Sequence, residues 1–300
     1  MASTTSPTVA SAAAVPQRRV EARRLTLGRA LIWLAVIIVT LIALFPFIYA
    51  LTTSFKTQRA SYDGTLIPWL QYEPTLANWQ AEFGSGGQET MRALTNSATI
   101  AIGATIVATA LGTLAGWGLG RFKYGIGNRN LVSWFLSQRF LPPIATVIPF
   151  VLLFKQLGLI DNVLGLIIAN ATFTLPFAVL IMRDFFADFP SDLQDAALVD
   201  GASQFGVFWR VALPIATPAL VAAIIICFAF SWNEFLFASV LALRNAKPYP
   251  LMVAGSDTVR GIVFGFVSTR MLIAITLPVV LSLLVQRYIV RGLALGAVKG

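Results

Sequence analysis

Long uncharged apolar stretches recur along this chain, separated by shorter segments that hold its charge. Residues 30–55, 93–120, 162–182 and 211–233 carry no charged side chain, and two shorter windows, 140–154 and 271–286, have apolar flanks. An α-helix rises about 1.5 Å per residue and the hydrocarbon core of a bilayer is about 30 Å thick, so about 20 such residues cross it. The pattern predicts an all-α, polytopic transmembrane helical bundle of about six spans.

The expected spans are Ala30–Tyr49, Ala93–Leu119, Leu131–Phe154, Val163–Met182, Pro214–Ala242 and Met271–Gln286. Pro46 lies near the end of the first, where little helix remains to be disturbed, and Pro176 interrupts the fourth. A polar segment from Thr52 to Glu89, with Asp63, Gly64, Pro68 and Pro74, reads as an external loop. The basic turn RFKYGIGNR is short enough to make spans two and three antiparallel neighbours. The resulting divisions are a basic tail at 1–28, a first span with its external loop at 29–89, a core at 90–287 and a C-terminal tail at 288–300. Within the core, residues 188–214 form a polar insert between spans four and five.

Composition agrees with a membrane setting. The chain is 57% hydrophobic and 12% charged, with mean hydropathy +0.77, against about 45–50% apolar residues in a soluble domain. Arg18, Arg19, Arg23, Arg24 and Arg29 precede the first span, Arg121, Lys123 and Arg129 flank the turn after the second, and Arg183 and Arg210 flank the insert. With Arg287, Arg291 and Lys299 at the end, this bias puts both termini and the insert in the cytoplasm, leaving Lys56, Arg59, Lys155, Arg244, Lys247, Arg260 and Arg270 on the other side. The net charge of +9 suits anionic lipid headgroups and gives no reason to expect nucleic acid. One cysteine, Cys227, and no histidine exclude disulfide frameworks and histidine-based zinc or triad chemistry.

The insert carries the strongest local signals. Ser191 can cap a helix, with Gln194 completing a capping box, and Leu193, Ala196 and Ala197 then lie on one face. Gly201 is placed to end that helix in left-handed geometry. Ser203 can cap a second short helix bearing Phe205, Phe208 and Trp209 at positions i, i+3 and i+4. These aromatics either fill a groove on a partner or lie against the protein's own helix ends.

The segment Asp195-Ala196-Ala197, Gly201, Val211, Leu213-Pro214 resembles the EAA loop of bacterial ATP-binding-cassette (ABC) importer permeases. Spacing matches throughout, with Asp195 in place of Glu and Val211 in place of Ile. Further pieces, PTLANW at 74–79, Asn96-Ser97, SWNEF at 231–235 and the glycine-containing end from Gly292 to Gly300, make the whole chain similar to the second permease of maltose-type carbohydrate importers. The resemblance implies a type-1, MetI-like core in the bacterial inner membrane. It also implies that Asp195, Ala196, Ala197, Asp200, Gly201, Phe205, Phe208, Trp209, Leu213 and Pro214 seat in an ATPase subunit.

Implied partners are a second permease, two ATPase subunits, an external solute-binding protein and a sugar or sugar alcohol as cargo. The chain itself would bind no cofactor, ATP and Mg being held by the ATPase subunits; no G-x-x-x-x-G-K-[ST] occurs, and GWGLGRFK at 116–123 lacks the spacing. Rival readings are an ABC permease for a non-sugar solute such as glycerol phosphate, and an ATP-independent secondary carrier.

Arg139 and Glu234 fall inside expected spans, where a charge costs roughly 2.5–3.5 kcal/mol on insertion scales and marks a candidate substrate path. Counted along straight helices, Arg139 lies on the order of 12 Å from the start of its span and Glu234 on the order of 30 Å, which predicts different depths. Trp232, Asn233 and Glu234 together could offer a ring face and acceptors to a sugar, or could be a helix-end cluster satisfied by the adjoining loop. Arg139 could snorkel to the interface, line the cavity or face the second permease.

Overall fold

The computed structural model describes residues 27–84, 87–122, 128–256 and 262–297, with side chains described between 28 and 284. The expected basic tail therefore falls almost wholly outside the described residues, as does the middle of the turn after Arg121. The chain divides at Pro46 into two units, and everything below concerns the second, from Phe47 onward, except the bounds of the first helix.

The described elements are helical. α1 is Leu27–Ser54, α2 Ala77–Phe83, α3 Gly87–Arg121, α4 Asn128–Phe140, α5 Pro143–Gln156 and α6 Val163–Ala187. They are followed by α7 Ser191–Val199, α8 Gln204–Val207, a π-helical turn Phe208–Ala212 and α9 Leu213–Ile215. The chain continues through α10 Thr217–Trp232, α11 Leu236–Leu241, α12 Tyr249–Ala254 and α13 Phe264–Ala297. Four helices are long and apolar enough to cross a bilayer unaided, α1, α3, α6 and the 264–284 part of α13. Two further spans exist only as bent pairs, α4 with α5 at 93°, and 204–215 with α10 at 76°. Counting each pair once gives the six expected.

The bends correct two expected spans. Leu131–Phe154 is not one rod, because Pro142 and Pro143 remove amide donors and force residue 141 out of helical geometry. The fifth span starts at Thr217 and ends at Trp232 rather than running from Pro214 to Ala242; Ala216 joins it to α9 across the second bend. Two segments expected as loop or tail are also ordered. The stretch 52–89 contains α2, and the last helix continues to Ala297 through much of the expected 288–300 tail.

The core is organised on the parallel pair α3 and α6, along which Gly103 meets Ile167, Gly112 meets Ala178 and Gly120 meets Phe186. Ala104, Ala108, Gly112 and Gly116 recur every four residues and are all buried, which lets the two backbones approach closely. A Cβ on Gly116 would stand 2.7 Å from Met182 Cβ and 2.8 Å from Arg183 N, and one on Gly112 would stand 2.4 Å from Ala178 Cβ. α10 closes the group by packing Ala223 and Cys227 on this pair.

The end of the bundle away from the insert is held by two polar clusters. Glu82 of α2 is fully buried and accepts from Arg270 Nε of α13 at 2.8 Å, Thr90 Oγ1 of α3 at 2.8 Å and the Tyr249 hydroxyl of α12 at 3.1 Å. Arg270 also donates Nη1 to Met252 O and Ser256 Oγ, both at 2.9 Å. Removing one partner of such a buried pair costs ~3–5 kcal/mol. In the second cluster Asp161, at φ +54 between α5 and α6, accepts from the backbone N–H groups of Leu243, Arg244, Asn245 and Ala246 at 2.8–3.0 Å. Its own N–H donates to Leu241 O at 2.7 Å.

Burial pushes the Asp161 carboxyl upward, but the four amide donors outweigh it and bring it down to about 2 from an ordinary 3.8. A depressed carboxyl stabilises the fold above its ordinary value, and that contribution is lost as pH falls from about 4 towards about 2. Hydrogen exchange at amides 243–246, corrected for its intrinsic pH dependence, should show protection from about pH 5 upward and opening below. Asp161→Asn should open the same amides at neutral pH, and unchanged protection in that variant would contradict the role given to this carboxylate.

Candidate functional site

The insert folds as a two-helix plug whose inner side is part of the bundle core. α7 ends where Gly201 adopts φ +86, as its placement predicts, with Ala202 N donating to Ala197 O at 3.0 Å. Ser203 caps α8 as expected, its Oγ accepting from Gly206 N at 3.1 Å. The capping box at Ser191 does not form. Pro190 is the N-cap, Ser191 is the first helical residue, and Gln194 turns instead to Arg121 at the end of α3. Arg121 donates Nε to Gln194 Oε1 at 2.7 Å and Nη1 to Phe189 O at 2.8 Å, with a further short bond from Nη2 to Gln194. Charge-assisted bonds of this kind outcompete a neutral cap. The Gln194 amide also donates to Gln204 Oε1 at 3.2 Å, joining α7 to α8.

The aromatic stripe divides between the two expected outcomes. Phe208 is 2% exposed and lies 5.7 Å from the Trp117 ring and 6.2 Å from that of Phe186. Trp117 in turn meets Phe186 at 5.2 Å and Phe189 at 6.3 Å. Phe205 and Trp209, by contrast, are 65% and 51% exposed and touch each other edge to face at 5.9 Å. Phe208 turns inward onto Trp117 and Phe186 where the π-helical turn begins, while Phe205 before it and Trp209 after it stay exposed. On the α7 side Ala197 packs on the core, whereas Leu193, Asp195, Ala196, Val199 and Asp200 face outward. Leu213 is half-buried against the core and Pro214 is exposed.

A second candidate site is a cavity of about 330 Å³ inside the bundle, where the two broken spans come together. Arg139, Asn170, Thr174, Phe177, Phe230 and Glu234 are among its lining residues. Arg139 and Glu234, which counting along straight helices put at different depths, line this one cavity, and the spans that carry them are the two bent ones. The Arg139 guanidinium stacks 4.4 Å from the Phe177 ring centre, and Phe177 stacks on Phe230 at 4.7 Å. The two charges make no ion pair. Glu234 accepts from Phe237 N at 2.7 Å and Ala238 N at 3.1 Å, starting α11.

Trp232 and Asn233 do not join this lining. Trp232 is 3% exposed and donates Nε1 to Ala274 O of α13 at 2.9 Å, while Asn233 is exposed and bonds back to Ala229 O at 2.8 Å. Asn170 and Thr174 were missed from sequence, although polar residues four apart in a span were a usable signal. Phe177 and Phe230 gave none, since apolar residues in a span are the rule.

Broken spans around a largely apolar cavity that carries a few polar groups, with a plug fastened to the bundle core at one end, define a polytopic membrane transport subunit. The chain belongs to the family described as binding-protein-dependent transport system inner membrane component, matched over residues 108–294. It is 35% identical over 263 residues to the trehalose transport system permease protein SugB of Mycobacterium tuberculosis, spanning 86% of this chain and 93% of that one. It is 30% identical over 280 residues to the trehalose/maltose transport system permease protein MalG of Thermococcus litoralis, spanning 93% and 99%. A solved bacterial ABC transporter involved in import of the acidic polysaccharide alginate shares the fold, with TM-score 0.73 and 21% identity over 89% of this chain and 98% of that one. The protein is an inner-membrane ABC permease.

The two sides of the plug should respond differently to truncation. Phe208→Ala should cost ~3–5 kcal/mol of stability, as large aromatic truncations in packed cores do, read as a lower melting temperature of the purified protein in detergent. Phe205→Ala should stay within about 0.5 kcal/mol of the parent. Equal losses at the two positions would contradict the division of the stripe.

Proposed function

We propose that this chain is one of two permease subunits of an importer for a sugar or sugar alcohol, driven by separate ATPase subunits. The observation that carries the coupling part is the two-sided plug. Phe205, Trp209, Leu193 and Val199 offer apolar side chains on its outer face beside Asp195 and Asp200. Its inner face is bonded to α3 through Arg121 and Gln194 and packed on α3 and α6 through Phe208. A partner that grips the outer face therefore moves α3 and α6 with it. In this reading the termini and plug are cytoplasmic, and ATP and Mg are bound by the partner. Closure of the two ATPase subunits turns the central cavity outward to receive cargo from an external binding protein.

Carbohydrate cargo is supported by relatives named for trehalose, for trehalose and maltose, and for sulfoquinovosyl glycerol. A solved neighbour, an alginate transporter with a pentasaccharide-bound periplasmic protein, supports the external partner. The cavity chemistry is compatible. Phe177 and Phe230 give apolar ring surface for the C–H side of a sugar, and Arg139 gives several donors with no carboxylate within ion-pair range among the described residues.

Proteoliposomes holding both permeases and the ATPase, supplied with the binding protein and labelled disaccharide, test this directly. Uptake should require ATP. Replacing Phe205 and Trp209 by Ala removes two aromatic anchors worth ~2 kcal/mol or more at a hot spot, which is about thirtyfold in affinity. ATPase stimulation and uptake should fall together while the permeases remain in the membrane. Uptake without the ATPase would identify a secondary carrier, and undiminished transport by the double variant would remove the coupling role.

A further inference from the structure

The segment joining α1 to α2 carries a turn whose sidedness is inverted relative to ordinary folding. Trp69 is 85% exposed and Leu70 78%, with Ile67 at 51%, so the bulkiest apolar side chains point away from the protein. The turn is nevertheless built rather than loose. Trp69 N donates to Tyr72 O at 2.9 Å, Gln71 N donates to Ile67 O at 3.0 Å, and Gln71 Oε1 accepts from the amides of Leu66 at 2.7 Å and Ile67 at 2.9 Å. Trp69 sits at φ +61, a left-handed conformation that a bulky side chain adopts only when its surroundings impose it. The polar Gln71 side chain satisfies the loop's own amides while the indole is held outward.

The base of the turn is fixed to the last turn of α1. The buried Tyr72 donates its hydroxyl to Thr52 O at 2.9 Å, and Thr75 N donates to Phe55 O at 2.7 Å. Lys56 is fully buried, donates to Thr65 O and stands 5.1 Å from the Tyr72 ring centre. The uncharged stretch that ends here runs from Ala30 to Phe55. Lys56, Arg59 and Asp63 are the first charges after it, so the apolar span gives way to polar surroundings at this point. The turn is therefore bonded to the chain at headgroup depth, where Trp is enriched because its ring is apolar and its N–H needs a polar partner.

We infer that residues 66–70 are an interfacial lipid anchor, with Trp69 and Leu70 seated among the lipid headgroups at the outer end of α1. The anchor sets the depth of that helix end. Its effect passes to α2, because Asn78 Nδ2 donates to Ser54 O at 3.0 Å and to Lys56 O at 2.8 Å. Lipid is favoured as the occupant because the turn is continuous with the end of an apolar span and its exposed side chains are uncharged. The inference goes beyond the proposed cargo and coupling, and holds or fails independently of them.

The test uses the assembled transporter in nanodiscs with Cys227, the single native cysteine, replaced by Ala. An environment-sensitive fluorophore is attached at Leu70→Cys, with Trp69 intact, and separately at Ile67→Cys as an independent position. Arg244→Cys, an exposed cation in the loop after α11, serves as the aqueous control. The probes at 70 and 67 should emit at shorter wavelength than the control and be quenched by lipid spin-labelled near the headgroup. Adding Trp69→Ser should reduce that quenching to the level of the control. Iodide quenching at 70 and 67 equal to the control, with no quenching by the labelled lipid, would overturn the inference. Shielding that develops only when the binding protein is added would equally overturn it, assigning the turn to a protein partner.

Discussion

The close approach of α3 and α6 is the constraint on which the rest of the structure depends. Small residues every fourth position on α3 leave no room for a side chain at Gly112 or Gly116, so the two backbones form one rigid body. At one end of that body Trp117 gathers Phe186, Phe189 and Phe208, and Arg121 closes on Gln194 and Phe189. The plug is thereby an extension of the α3–α6 pair. Without the helix contact, Trp117 and Arg121 would not stand beside the insert, and a force on the plug would dissipate in a loop.

The remaining spans are attached to this body with breaks in them. α4–α5 and α9–α10 each bend sharply, and α11 begins on a carboxylate cap supplied by Glu234. The break between α4 and α5 and the one between α10 and α11 border the cavity, whereas the bend at Ala216 lies in the core beside the plug. The opposite end is pinned by different means. Glu82 draws α2, α3, α12 and α13 together, and Asp161 fixes the loop that follows α11. Each cluster satisfies buried or strained polar groups with partners distant in sequence, which is how irregular connections between spans become ordered.

How much was legible in the sequence follows from this pattern. Span number, the insert, the glycine at Gly201 and the cap at Ser203 all rest on local signals, and the structure contains them. The box at Ser191 depended on a competitor, Arg121, far away in the chain. Phe208 could not be told from Phe205 because the ring that buries it, Trp117, lies far away in the chain. Depth counting for Arg139 and Glu234 took their spans as straight rods, and both spans are bent. Glu82 looked like a loop carboxylate until its partner Arg270, 188 positions later, stood beside it. The four-residue spacing from Ala104 to Gly116 was readable and carries more of the fold than any charged residue.

The central claim is that the plug has one face built into the permease and another offered to an ATPase subunit. Site-specific photocrosslinking in the assembled complex addresses it most directly, with a photoreactive phenylalanine analogue placed at Phe205 or at Phe208. The account predicts an adduct between permease and ATPase from position 205, and from position 208 only crosslinks within the permease. An ATPase adduct from 208, or none from 205 in a complex that hydrolyses ATP, would contradict it.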